Sequence, residues 1–284
     1  MFSSDEDRVA RYYDKDIFEA ELQRLPREFP IEMEITKRML ARWIPPGAAV
    51  AEIGVGGGHY TEWLVQHGCR VHLVDISRRL LETVAARIPS GLLGMTRASA
   101  TDLSELKSGD FDVVLLMGPL YHLLALQERR RALAESVRLL KQRGVLFAAG
   151  INRLSYLRAL FHDSPQEVLN RKEFHRRHLR EGNLDPEHAA PIGYAHLTST
   201  EEFRALFRNS FEELALLGVE SFAATWQRML NDLEPKVASA WLDLVEETAT
   251  TVEGLGQSDH ILFIGRRKGG RRRAGSFARK ARKG

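Results

Sequence analysis

At 284 residues, with 44% hydrophobic and 28% charged side chains, the chain can bury one large α/β core or two small ones, and its composition excludes a disordered or fibrous class. Its single cysteine, Cys69, excludes an intramolecular disulfide framework and a cysteine-cluster metal centre, and fits a reducing cytoplasm. The net charge of +3 is unevenly held: ten basic residues and no acid stand between Arg266 and Gly284, which leaves −7 for the remainder.

The chain begins Met-Phe-Ser-Ser-Asp-Glu-Asp, without the basic-then-apolar layout of a signal peptide, and no apolar run approaches the length of a membrane span. A cytoplasmic protein is therefore expected. Residues 5–28 are charged but interrupted by Tyr12, Tyr13, Ile17, Phe18, Leu22 and Leu25, the mark of one or two short amphipathic helices. The Tyr12-Tyr13-Asp14 cluster has two readings, packing at a domain edge or a lid stacked over a ligand. Ile31, Ile35, Met39, Leu40 and Trp43 define a further helix that ends at Ile44-Pro-Pro-Gly47. These helices precede the first strand and are expected to cover a ligand crevice.

Ala49-Val-Ala-Glu-Ile53 is a buried parallel strand that enters a turn rich in glycine, Gly54, Gly56, Gly57 and Gly58, and then a helix carrying Tyr60, Trp63, Leu64 and Val65. Unpaired N–H groups at such a helix start face a ligand. A dinucleotide fingerprint would require glycine at position 59, where His59 stands. Glu52, at the end of the strand, repels a pyrophosphate and suits a ligand bearing an ammonium or sulfonium.

Arg70-Val-His-Leu-Val-Asp75 is the second strand, and Asp75 falls 21 residues after Gly54, the spacing at which an acid accepts from both ribose hydroxyls. After a helix through Leu80, Leu81, Val84 and Ile88, a short strand near Gly94–Ala98 leads to Ser99-Ala-Thr-Asp102, where an adenine would lie; Asp102 serves equally as a cap or turn residue. Phe111-Asp-Val-Val-Leu-Leu-Met117 is the next buried strand, and Gly118-Pro-Leu-Tyr-His122 follows at the mouth of the crevice. A helix through Leu126, Leu133, Val137 and Leu140 leads to Lys141-Gln-Arg-Gly144, with a further strand at Val145–Ala149.

Regularity lapses from 150 to 197, which reads as a mostly helical insertion on the substrate side, its basic run Arg171–Arg180 reading first as a solvated helix face and second as a site for an acidic substrate. Thr198-Ser-Thr-Glu-Glu202 has the layout of a capping box. Leu214–Val219 and His260–Gly265 are the last strands, with a helix near 237–251 between them.

The motifs at 52–58, Asp75 and Phe111–Leu123 together resemble class I S-adenosylmethionine-dependent methyltransferases. Gly118-Pro-Leu-Tyr-His122, the N-terminal tyrosine pair and His260-Ile-Leu-Phe-Ile-Gly-Arg-Arg-Lys268 are similar to a small-molecule subgroup. The resemblance implies a Rossmann-like, doubly wound α/β fold with a seven-stranded, mostly parallel sheet whose final strand inserts antiparallel. It implies one domain over 1–268, with 1–44 as a helical lid, followed by a basic, disordered tail at 269–284.

The cofactor it implies is S-adenosylmethionine, with S-adenosylhomocysteine as product. Glu52, Gly54, Gly56 and Gly58 would hold its methionine portion, Asp75 and Ile76 the ribose, Ser99, Ala100 and Thr101 the adenine edge, and Met117 and Gly118 the region of the sulfonium, with Tyr12 and Tyr60 completing the pocket. The segment 97–102 departs from the family in lacking the acid often found before the Ala100 position.

The reaction expected is in-line methyl transfer to a small molecule, in natural-product or secondary metabolism. His122 is the first candidate base, His196 the second, and Tyr121 orients the acceptor or lines the pocket; each histidine has a purely structural alternative. No metal site is read from the scattered histidines. An RNA-directed enzyme or RNA-binding module using the basic tail, and a dinucleotide oxidoreductase, are the competing readings. Nucleic acid and membrane are not expected as partners, and a monomer or homodimer is.

Overall fold

The computed structural model describes residues 4–184 and 195–269; the expected disordered tail lies outside them, apart from Gly269. Three helices lead in, α1 (Ser4–Arg11), α2 (Phe18–Glu28) and α3 (Pro30–Trp43), with a π-turn at Tyr12–Asp16 between the first two. Strands and helices then alternate: β1 (Ala49–Ile53), α4 (His59–Gln66), β2 (Arg70–Asp75), α5 (Arg78–Arg87), β3 (Leu92–Arg97), β4 (Phe111–Leu116), the short α6 (Pro119–His122), α7 (Leu126–Leu139) and β5 (Leu140–Asn152). The second half holds α8 (Ser155–Asp163), α9 (Glu167–Asn170), α10 (Lys172–Glu181), β6 (Asn183–Leu184), β7 (Ala195–Thr198), α11 (Thr200–Phe207), β8 (Phe211–Gly218), a 3₁₀ segment (Ser221–Asp232), α12 (Pro235–Thr248), α13 (Val252–Gln257) and β9 (His260–Arg267).

Seven strands form the main sheet in the order β3-β2-β1-β4-β5-β9-β8, with β9 antiparallel to both neighbours, as expected. Two short strands, β6 and β7, raise the total to nine. They form a hairpin that pairs with Ile151 and Asn152 at the end of β5, beyond the reach of β4.

Because successive strand residues face opposite sides, the sheet has two cores. Val50, Leu73, Leu115 and Leu262 pack under α3, α4, α5 and α12, whereas Ala51, Val114, Leu116 and Phe263 pack under α7 and α11. β1 is buried at all five positions, consistent with a central parallel strand. Ser199 caps α11 by accepting from the Glu202 N–H, so the capping signal in the sequence is realised.

Two local expectations are corrected. The strand expected at Val145–Ala149 begins earlier, with β5 starting at Leu140 and absorbing Lys141–Gly144 as an irregularity, where Arg143 is left-handed at φ 62° and the register against β4 shifts. The basic run 171–180 is not wholly solvated, because α10 buries Phe174, His175 and His178 against Tyr156 of α8. No helix among the described residues is long and apolar enough to cross a membrane.

Candidate active site

The strand β1 delivers the chain into the glycine turn at the carboxyl edge of the sheet, where a cleft opens. A Cβ on Gly54 would stand 2.8 Å from Pro119 Cδ and 3.0 Å from the Met117 carbonyl, so only glycine lets the β1 and β4 ends approach this closely. A Cβ on Gly56 would meet Glu21 Oε1 at 2.8 Å. The turn therefore offers bare backbone, held open beneath the N-terminal helices.

Asp75 closes the end of β2 and binds both flanking loops: Oδ2 accepts from the Val55 N–H and Oδ1 from the Ser77 N–H, each at 2.8 Å. Burial pushes its pKa up to about 6, against these hydrogen bonds, which favour the charged form. Ser77 in turn caps α5. Gly54, Gly56, Tyr60, Asp75, Ile76, Ser99, Ala100, Met117, Gly118, Tyr121 and His122 all line this one cleft.

Other predicted residues do not. Glu52 is 2% exposed behind the turn, where it accepts from the Thr61 hydroxyl at 2.7 Å, and burial pushes its pKa up to about 8. It cannot act as an open carboxylate facing a ligand in this arrangement. Gly58 is spent on the left-handed cap of α4, and Thr101 lies beside Ser99 off the cleft wall. Tyr12 also stands off the wall, edge-on to Tyr13, which takes the lining position instead.

His196 faces a separate, smaller pocket that shares Tyr121 with the main cleft. Its ring nitrogens are held by Asn183 at 2.7 Å and Glu202 at 3.1 Å. Glu202, which also pairs with Arg153, is drawn down to about 2 by these partners despite its desolvation. No described residue of the 150–197 insertion lines the main cleft; Ile151, Tyr156, Phe174, Leu184, Ala195 and Leu197 form a small core of their own at the end of β5.

His122 is half-buried and lines the cleft. Its Nε2 lies 2.8 Å from the Tyr13 hydroxyl, and the Tyr13 and Tyr121 rings meet it edge-on at 5.4 and 4.8 Å. Desolvation, aided by the Arg24 charge, lowers its pKa to about 4. The same enclosure raises the pKa values of Tyr13 and Tyr121. The imidazole is neutral at pH 7 but a weaker base than an ordinary histidine.

The wall facing the glycine turn comes from residues the sequence did not single out. Glu21, Arg24 and Glu32 all line the cleft, with Arg24 Nε 3.1 Å from Glu21 Oε2 and Nη1 4.0 Å from Glu32 Oε2. A signal existed for Glu21, which sits on the buried stripe Phe18, Glu21, Leu25 of α2. Glu6 of α1 accepts from the hydroxyls of Ser99 and Thr101. The His59 ring is 3.1 Å from the Leu22 carbonyl, so the residue that breaks the dinucleotide pattern ties α4 to α2. Among the described residues, one set, Glu32, Glu220 and His260, has the donors and proximity to hold a metal ion.

Comparison with known proteins gives a consistent picture. Residues 51–148 match the family model described as a methyltransferase domain. The ubiquinone biosynthesis O-methyltransferase of Methylococcus capsulatus is 30% identical over 203 residues, 66% of this chain and 82% of that protein. Its namesake from Caulobacter vibrioides is 35% identical over 129 residues, 42% of this chain and 50% of that protein, so this match spans half of the relative's length. A crystal structure from Thermotoga maritima, described as an S-adenosylmethionine-dependent methyltransferase and possible histamine N-methyltransferase, aligns with TM-score 0.57 at 22% identity, over 90% of this chain and 98% of that one.

Proposed function

The chain belongs to the class I S-adenosylmethionine-dependent methyltransferases, and from that premise we propose that it methylates a small-molecule acceptor held in the cleft beneath its N-terminal helices. The observation that carries this reading is the continuous cleft from the glycine turn, past Asp75 and Ser99, to Tyr13, Tyr121 and His122, roofed by α1 and α2. Residues 1–268 act as one domain in this reading, with 1–44 as lid. The names of the curated relatives favour a hydroxyl acceptor and a role in a biosynthetic route.

The cleft fits the cofactor in three respects: bare glycine backbone at Gly54 and Gly56, a buried carboxylate at Asp75 for the ribose, and the Ser99–Ala100 edge for the base. Arg24 and Glu21 add a complementary pair for the zwitterionic end, the guanidinium for the carboxylate and the carboxylate for the ammonium. Bound there, S-adenosylmethionine supplies a methyl group on a sulfonium, which an acceptor lone pair takes in line as the S–C bond breaks and S-adenosylhomocysteine departs.

The protein's own share is alignment and exclusion of water, and orientation of this kind accounts for about 7–11 kcal/mol of barrier lowering. Tyr121 and His122 flank the Met117–Gly118 end and orient the acceptor. The low basicity of His122 suits it to accept a hydrogen bond from an acceptor hydroxyl rather than to remove a proton from a weakly acidic one.

Titration with S-adenosylhomocysteine and with NAD, followed by methyl transfer to a panel of small phenols and amines, tests this. Tight binding of the first ligand alone and turnover of a small acceptor are expected; tight NAD binding, or turnover only on RNA, would sink the proposal. Asp75→Ala should weaken S-adenosylhomocysteine binding by about 1.5–3 kcal/mol, the scale of hydrogen bonds to a charged group. Unchanged affinity would show that Asp75 does not hold the ribose.

A further inference from the structure

Three residues far apart in the chain meet beside the cleft. Glu32 lies in the first turn of α3, Glu220 two positions past β8, and His260 opens β9 opposite Ile151 of β5. All three are buried, and one donor atom from each lies within 4.8 Å of the others. His260 Nδ1 is 2.5 Å from Glu220 Oε1 and 3.5 Å from Glu32 Oε2. The other Glu220 oxygen accepts from the Ser258 hydroxyl and from the N–H groups of Asp259 and His260 at 3.1 and 3.0 Å, which fixes this carboxylate in place. Glu32 differs: its Oε2 is buried and makes no hydrogen bond.

Arg24 is the cation on this wall, and its Nε is already on Glu21. Glu32 has that guanidinium only at 4.0 Å and accepts no hydrogen bond at Oε2, while Glu220 is turned to His260, so two buried carboxylates converge at a point where no cation bonds Glu32, which is costly. A divalent cation between Glu32, Glu220 and His260 supplies the missing positive partner.

We propose that Glu32, Glu220 and His260 form a binding site for a divalent cation. Two carboxylate oxygens and one imidazole nitrogen suit Mn²⁺ or Zn²⁺ better than the all-oxygen preference of Mg²⁺ or Ca²⁺. With metal–ligand distances of about 2.0–2.2 Å, the 3.5 Å separation of His260 Nδ1 and Glu32 Oε2 already spans a tetrahedral-like angle, and the Glu220–His260 contact would open to about 3 Å. The ion would join α3 to the adjoining ends of β8 and β9, and because Glu32 also lines the cleft, it would stiffen the wall against which the ligand closes.

Full-length protein dialysed against chelator and titrated with Mn²⁺, read by electron paramagnetic resonance, tests the site, with Zn²⁺ and equilibrium dialysis as a second probe. One tight equivalent is expected, together with broadening of the His260 ring resonances in the wild-type protein. Glu32→Gln and His260→Gln should each weaken that equivalent at least tenfold. No saturable binding of either ion to the wild type, or undiminished stoichiometry and affinity in both variants, would overturn the proposal. The wild-type resonance readout stands even if a variant fails to fold.

Discussion

His122 shows how enclosure sets the chemistry of a single side chain. Its folded pKa of about 4 lies below the value near 6.5 of an exposed imidazole, so the native state binds this proton less readily than the unfolded chain does. Its contribution to stability is complete above about pH 6.5 and is lost as pH falls toward 4. Activity should follow the same proton: the pH profile of kcat/KM should show no limb near 6.5 from this residue, only one displaced toward the acid end. A limb at 6.5 that vanishes in His122→Asn would show that the ring is solvated during turnover. Arg24 gives a second prediction. If it holds the cofactor's carboxylate, Arg24→Met should weaken S-adenosylhomocysteine by about 1.5–3 kcal/mol while leaving 5′-methylthioadenosine, which lacks the amino-acid end, unaffected. Equal losses for both ligands would assign Arg24 to shaping the wall. The place of Asp75 on the cleft wall was legible because it depends on a fixed spacing from Gly54 within one local unit. Arg24, Glu21 and Glu32 reach the cleft only when α2 and α3 fold back over the sheet, and only the place of Glu21 on the apolar stripe of α2 hints at it.

Among the elements, the N-terminal helices of the proposed lid are anchored in the core by Phe18, Leu25 and the apolar face of α3, and their front edge is tied to α5 by polar contacts. The Asp14 carboxylate accepts from the Ser77 hydroxyl, the Asp14 carbonyl accepts from Arg79 at 3.0 Å, and the Arg79 guanidinium lies 3.5 Å over the Phe18 ring. Arg79 thereby pins both the π-turn and α2 to the start of α5. A cation–π contact at such a partly exposed site contributes about 0.5–1 kcal/mol. Arg79→Ala should accordingly speed proteolytic cleavage within residues 1–28 several-fold and raise the dissociation rate of S-adenosylhomocysteine, with little change in the midpoint of global unfolding. A large fall in that midpoint instead would mean that the lid is part of the cooperative core. The helices of the lid could be read from their apolar steps, and so could β1, β2 and β4, whose burial on both faces leaves near-continuous apolar runs. The hairpin β6–β7 could not, because its strands are two and four residues long and take their register from the end of β5. The N-terminal extent of β5 was hidden in Lys141-Gln-Arg-Gly144, where turn-like chemistry is tolerated as a bulge.

At the scale of the whole molecule, the doubly wound order follows from alternation of strand and helix with right-handed crossovers, and the inserted β9 follows from the family resemblance rather than from any periodicity. What local reasoning could not reach is the meeting of Glu32, Glu220 and His260, since pairs of residues separated by 40 to 228 positions carry no shared pattern. Charge distribution is the remaining global feature that bears on function. A nucleic-acid substrate would be gripped by neutralising phosphates, and the basic residues beyond Lys268 are the concentrated source of positive charge in a chain whose remainder is acidic. Such binding releases counterions: with 6–10 phosphate contacts it loses about 10³–10⁵ in affinity between 50 and 200 mM salt. A small acceptor enclosed beneath the lid makes no such contacts. Deleting residues 269–284 should therefore leave kcat/KM for a small acceptor nearly unchanged, and the full-length enzyme should vary little over the same salt range. Loss of turnover on deletion, accompanied by a steep salt dependence in the intact chain, would move the acceptor out of the cleft and onto a polyanion.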